Sequence, residues 1–318
     1  MRFLEIHVFL FITLGLFLLF PALLGSYGLY LISLTLVYII ATAGLNLILG
    51  YAGQISLAHG AFMGIGAYSV ALLGPEHSFW LALLVGVAIA FILGLALGFP
   101  ALKVKHHYLA MVTLGVNIIV YVILRNEEEI TGGPHGIMDI ARPKIAGLTL
   151  ASDLRYYYFV LAIAFLTIML LYWILNSQWG RAFKSIRENE LRAEMLGVSV
   201  RNYKLFAFAI GCSFAAVAGG LFAPLLGFID PTSFNLDVSF QFLLMIIVGG
   251  LGRFEGPFIG TTIGVIIPEV LRFSGGLYLI LFSLAVIVMF IFMPKGSVAL
   301  WDWFFTLFTK RGVPQLTK

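Results

Sequence analysis

Gln54, Ser56 and His59 fall among Gly50, Gly53, Gly60, Gly64 and Gly66 in a chain otherwise made largely of hydrocarbon. Their chemistry is hydrogen bonding: an amide, a hydroxyl and an imidazole offer both donors and acceptors, and only the imidazole titrates near neutral pH. Asn46, Thr113 and Asn117 are further neutral polar residues inside otherwise apolar runs. Together these six are candidates for a polar path through an apolar medium. Hydrogen bonding between helices accounts for any one of them equally well. No clustered acid, base, nucleophile or metal set accompanies them, so the sequence does not read as a membrane enzyme and implies no cofactor. His106 and His107 are adjacent beside Lys103 and Lys105, which suits a topogenic loop better than a metal site. Within the expected spans only Glu269, near the outer end of its helix, is ionisable, which disfavours proton- or sodium-coupled transport. No Gly-x-x-x-x-Gly-Lys-Ser/Thr loop occurs, so energy, if used, comes from outside the chain.

The elements that must hold these side chains follow from composition. The chain of 318 residues is 61% hydrophobic and 11% charged, with a mean hydropathy of +1.04. Its apolar runs are long enough to cross a hydrocarbon core of about 30 Å. The expected fold class is therefore all-α, a polytopic integral membrane helical bundle of about ten transmembrane helices with cytoplasmic N- and C-termini. The spans are placed near 8–24, 29–49, 61–74, 79–100, 108–124, 156–175, 205–228, 238–250, 257–271 and 277–293. The first run lacks a convincing cleavage site and is read as a retained helix. Cys212 stands alone in an apolar run, which excludes a disulfide framework. With the N-terminus inside, fourteen of the nineteen Lys and Arg residues are cytoplasmic. Arg125, Arg142, Lys144, Arg155 and Arg272 are the exceptions, on an outer face that is net acidic. Tyr156, Tyr157 and Tyr158 are expected at one membrane interface and Trp301 and Trp303 at the other. The loop 125–155 is expected to be extracytoplasmic and, being too long for a simple connector, to fold against the outer face. Its Glu127, Glu128 and Glu129 suit a solvated edge, or contact with a basic partner.

Residues 176–204 form a polar island carrying six of the nineteen basic residues, and the charge rule makes it a cytoplasmic loop. Asn189 can cap a short helix with Glu190 in its first turn and Gly197 in a left-handed conformation at its end. Leu191 and Met195 then share a face, as an i,i+4 pair does. Such a helix is either a docking surface for a soluble partner or part of a basic loop that only fixes topology. A second Gly-rich passage, Val248 to Gly264, shares with the first the pattern Gly-x-Phe-x-Gly, at Gly60-Phe62-Gly64 and Gly256-Phe258-Gly260. The match is short enough for chance, though inverted repeats of transporters leave such traces. Close helix packing is the expected role of most of these glycines.

Four passages taken in order touch nearly the whole chain: Gly44 to Tyr68 with Gly-Gln-Ile-Ser-Leu-Ala-His-Gly at 53–60, Thr131 to Ile137, Gly180 to Lys204, and Gly249-Gly250-Leu251-Gly252 with Gly256-Pro257-x-x-Gly260. Together they resemble the LivM-type permease subunits of ABC importers for branched-chain amino acids. The resemblance implies a single permease domain over 1–318 in a bacterial or archaeal inner membrane. It also implies a second homologous permease as partner, two cytoplasmic ATP-binding subunits and an extracytoplasmic solute-binding protein. Residues 176–204 become the coupling-helix loop, with Arg187, Glu190, Leu191, Arg192, Glu194, Met195, Leu196 and Gly197 as ATPase-coupling candidates. Leu191, Met195 and Leu196 would enter the ATPase groove while Arg187, Arg192 and Glu194 set orientation at its rim. Of the general coupling signature Glu-Ala-Ala-x-x-x-Gly only Ala193 and Gly197 are present. The rival readings are a urea or short-amide permease of the same family and a stand-alone facilitator that needs no ATPase.

Overall fold

The computed structural model describes residues 24–75, 77–101, 106–145 and 148–272, with Thr13, Gly15, Phe17, Leu18 and Pro21 before them. The expected helix 277–293, most of 8–24, Trp301, Trp303, Lys103 and Lys105 lie outside the described residues. Helix α1 (Ser26–Leu45) runs without a break into a wider π-type turn, Asn46–Tyr51. An irregular segment leads from there into α2 (His59–Leu73), followed by α3 (Phe79–Ala101) and α4 (His106–Asn126). After a short α5 (Glu128–Thr131), a two-residue antiparallel ladder pairs β1 (Lys144–Ile145) with β2 (Leu148–Thr149). Then come α6 (Asp153–Asn176), α7 (Gln178–Glu188), α8 (Glu190–Met195), α9 (Val200–Leu226), α10 (Leu236–Gly249) and α11 (Gly256–Leu271). Among the described residues, five helices are long and apolar enough to cross a membrane.

Helix α9 is the centre of the bundle and packs on α1, α2 and α3. Its buried face is largely Ala and Gly, so neighbouring backbones approach closely, the usual device where lipid offers no hydrophobic drive between helices. A Cβ on Gly44 would lie 2.6 Å from the Gly211 carbonyl oxygen, and one on Gly211 would lie 2.7 Å from that of Gly44. The α1–α9 crossing therefore requires both glycines. Helix α4 shows what surrounds the bundle: Thr113 and Asn117 are 2% and 1% exposed while Met111 and Ile119 are 69% and 60% exposed. Polar residues in and apolar residues out is the reverse of a water-soluble helix, and it fits a lipid exterior.

The segment from Glu127 to Ser152 does fold back on the bundle. Ile137 and Ile229 exchange backbone hydrogen bonds, and Arg142 pairs with Asp153 at 2.7 Å. Glu127, Glu128 and Glu129 are exposed. The aromatic belt is a correction: Tyr156 and Tyr157 are fully buried, their hydroxyls donating to the carbonyls of Leu221 and Phe17, and only Tyr158 is exposed. A phenol that finds an interhelical acceptor is held inside the bundle, whatever its depth in the chain's apolar run. Glu269 bonds to the Tyr27 hydroxyl and lies 3.7 Å from Arg272, so it is tied at a helix end.

Candidate functional site

The chain between Tyr51 and His59 leaves helical geometry with its backbone polar groups inside the bundle, which is tolerable only if side chains satisfy them. Thr113 and Asn117, one turn apart on α4, take part in this, the first directly and the second through Ser239. The Leu57 amide donates to Thr113 Oγ1 at 3.0 Å, and Thr113 passes its own proton to the Ala110 carbonyl. The Gly60 amide donates to Ser239 Oγ at 2.8 Å, and Asn117 Nδ2 donates to the same oxygen at 2.9 Å. Ser239, on α10, was not picked out from the sequence, because one serine in the first turns of an apolar helix carries no spacing signal.

Asn46 joins this break to the second Gly-rich passage. Its Nδ2 donates to the Arg253 carbonyl at 2.8 Å, and its Oδ1 accepts from the Gly252 amide at 2.9 Å. Gly50 must be glycine here: a Cβ would sit 2.1 Å from Asn46 Oδ1 and 2.5 Å from the Gly252 nitrogen. The two interruptions are thus in contact, with Arg253 and Glu255 4.0 Å apart beside them.

All six polar path candidates are buried within the chain, Gln54 being the most exposed at 3%. Asn46, Thr113 and Asn117 have partners, and Ser56 Oγ accepts a long bond from the Ala58 amide. Gln54 and His59 differ. Neither polar atom of the Gln54 amide makes a hydrogen bond among the described residues, and the His59 ring, beside the Ala41 carbonyl, makes none of good geometry. Such orphaned buried groups cost about 1–3 kcal/mol each. That cost is recovered wherever water or a polar solute reaches them.

The polar island forms two helices. Asn189 ends α7 by donating its amide to the Ser185 carbonyl at 3.0 Å, and begins α8 by accepting from the Arg192 amide at 3.0 Å. At the other end of α8, Gly197 takes φ +82°. Its amide donates to the Glu194 carbonyl and that of Val198 to the Ala193 carbonyl, a Schellman closure. Glu190 pairs with the buried Lys204 at 2.5 Å, fastening α8 to α9. Ala193 faces inward, while Leu191, Met195 and Leu196 are 64%, 78% and 82% exposed. Unlike the lipid-facing residues of α4, these three sit among charges: Arg192 and Glu194 are exposed beside them. Helix α7, missed from the sequence, buries Gly180, Ala182, Phe183 and Ile186, and Trp179 and Phe183 pack edge-to-face against Tyr203. Arg187, near the end of α7, lies over Gly252 rather than only at the outer rim.

A family model described as branched-chain amino acid transport system / permease component matches residues 27–294. The high-affinity branched-chain amino acid transport system permease protein LivM of Escherichia coli is 34% identical over 289 residues, covering 83% of this chain and 68% of that protein. LivH of Salmonella typhimurium, from a transport system of the same description, is 26% identical over 70% of this chain and 78% of its own length. The autoinducer 2 import system permease protein LsrC of the same species is 27% identical over 78% of this chain and 71% of its own length. No solved structure matches the chain.

Proposed function

The chain belongs to the family of permease components of branched-chain amino acid transport systems, and from that premise we propose that it is the membrane subunit of an ATP-driven importer of branched-chain or related hydrophobic amino acids. It pairs with a second, homologous permease, and the likeness to both LivM and LivH supports a heterodimer. Two cytoplasmic ATP-binding subunits supply the energy and an extracytoplasmic solute-binding protein delivers the solute. The complex sits in a bacterial or archaeal inner membrane, with about ten spans and both termini inside.

The observation that carries this reading is α8: a helix capped at both ends and salt-bridged to α9, presenting Leu191, Met195 and Leu196 to solvent. An apolar tip rimmed by charge, on the face that the basic loop makes cytoplasmic, suits insertion into a groove of a soluble partner. Residues 125–155 then lie on the opposite side, available to the binding protein.

The solute moves past the first break as the two permeases open alternately to each side. Gln54, Ser56 and His59, with Asn46, Thr113 and Asn117 behind them, supply polar contacts. The orphaned atoms of Gln54 and His59 support this, since a second state that admits water or solute relieves them. The LsrC likeness favours placing solute choice in the binding protein, because a related permease is named for import of a different molecule. The test is mild-detergent affinity purification, with identification of co-purifying subunits and of the solute retained. Uptake by the purified chain alone in liposomes would instead establish a stand-alone facilitator.

A further inference from the structure

Arg187 reaches from the polar island to both interruptions of the membrane helices. A Cβ built on Gly252 would lie 1.8 Å from Arg187 Nη1, and one on Gly53 would lie 3.8 Å from both its Cα and its Cγ. The same Gly252 position would meet the Gly50 carbonyl at 2.4 Å. One side chain therefore covers the place where the end of the π-type turn, the start of the irregular break and the α10–α11 turn converge. Asn46 holds these backbones to one another through Gly252 and Arg253, and Tyr51 lies within electrostatic range of Arg187, Arg253 and Glu255.

The path from α8 to this point has little slack. Arg187 precedes by two residues Asn189, which terminates α7 and caps α8 at once. No linker intervenes that could absorb a displacement. Behind Arg187, Phe183 and Ile186 are buried at 0% and 1%, so α7 moves with its side chains seated. The opposite wall is closely packed backbone in conformations that favour glycine: Gly250 and Gly252 have φ of +123° and +71°, and Gly53 has +68°. A rigid arm thus meets two glycine turns directly, with no side chain between to absorb its movement.

We propose that Arg187 is a positioning residue that transmits displacement of α8 to the joined breaks at Gly50–Gly53 and Gly250–Gly252. It acts in that role rather than as an anchor for the ATPase alone. The proposal rests on the importer reading, since it needs a partner that moves α8. Arg187 lies outside the solute path and acts through the backbone of the breaks.

The test reconstitutes the complete complex in vesicles and measures solute uptake and ATP hydrolysis together. Arg187→Ala is expected to keep hydrolysis while solute moved per ATP falls about tenfold, within the range of a coupling free energy. Arg187→Lys, which keeps reach and charge, restores part of the ratio. Arg181→Ala removes an exposed charge from the same helix and leaves the ratio unchanged. A wild-type ratio in Arg187→Ala, or an equal loss in Arg181→Ala, overturns the proposal. If Arg187→Ala does not assemble, Arg187→Gln is read in the same way. Loss of assembly in both overturns it and assigns Arg187 to docking. A wild-type complex without ATP-driven uptake is a separate result, against the importer reading itself.

Discussion

The two glycine-rich interruptions share a pattern and even touch, yet they are built differently. Around Gly250–Glu255 the chain turns tightly, Asn46 takes the Gly252 amide and the Arg253 carbonyl, and the Arg253 and Glu255 side chains pair beside them. Between Gly53 and Ala58 the chain is irregular, Thr113 meets the Leu57 amide and Ser239 that of Gly60 just beyond, and Gln54 and His59 are buried without good partners. A satisfied turn has one preferred state. A break that buries orphaned groups has reason to exchange with another. Similar glycine texture therefore does not mean similar function: what separates the two is where the hydrogen bonds go.

The strongest way to break this contrast is to remove the glycines that let the two interruptions meet. Gly252→Ala is expected to lower stability by about 3 kcal/mol, since the new Cβ overlaps Arg187 and Gly50 and φ is +71°; thermal unfolding in detergent measures this. Replacing Leu191 and Met195 by Asp should abolish transport while leaving the protein inserted. ATPases that still co-purify at the wild-type level would refute α8 as the docking element. Asn46→Ala strips the turn of two hydrogen bonds and is expected to cost about 1–3 kcal/mol. By contrast, the triple change of Gln54, Ser56 and His59 to Ala should alter uptake kinetics with little loss of stability, because the amide and ring it removes are unsatisfied in this state. Unchanged kinetics would end their assignment to the path.

The smallest effect concerns Asp230, in the turn between α9 and α10. Partial burial opposes its charge, but hydrogen bonds from Ser233 and Thr232 outweigh this and hold its carboxyl below the usual range. A depressed folded-state value stabilises above the unfolded value, and the contribution fades as pH falls through the folded one. Asp230→Ala should therefore cost about 1 kcal/mol near neutral pH, as loss of a helix cap does. Its difference from wild type should shrink in acid, and unfolding midpoints across pH would show whether it does.

Much of the scaffold was legible. The run placed at 156–175 is the interior of α6, that at 205–228 lies largely within α9, and the capped helix expected from Glu190 to Gly197 is α8 with its Schellman end. Hydrocarbon periodicity and cap residues are local signals, and local signals survive in a single sequence. Helix α7 was missed because a hydropathy window sees only its charges, although Ala182, Phe183 and Ile186 with Gly180 mark a buried stripe. The buried Tyr156 and Tyr157 were misplaced for a related reason: a tyrosine cluster at a helix start fits an interface until an acceptor on another helix is known.

By itself the sequence determined that this is an all-helical membrane bundle, where its chain is interrupted, and which short helix stands out toward solvent. Composition, glycine placement and capping act within a few residues of themselves, so no partner is needed to read them. Only the tertiary structure decided that Asn46 ties one interruption to the other, that Ser239 answers the Gly60 amide and that Arg187 lies over Gly252. Asn46 and Gly252 are brought together across more than two hundred residues by helix packing, and no local pattern specifies which distant backbone a side chain will meet.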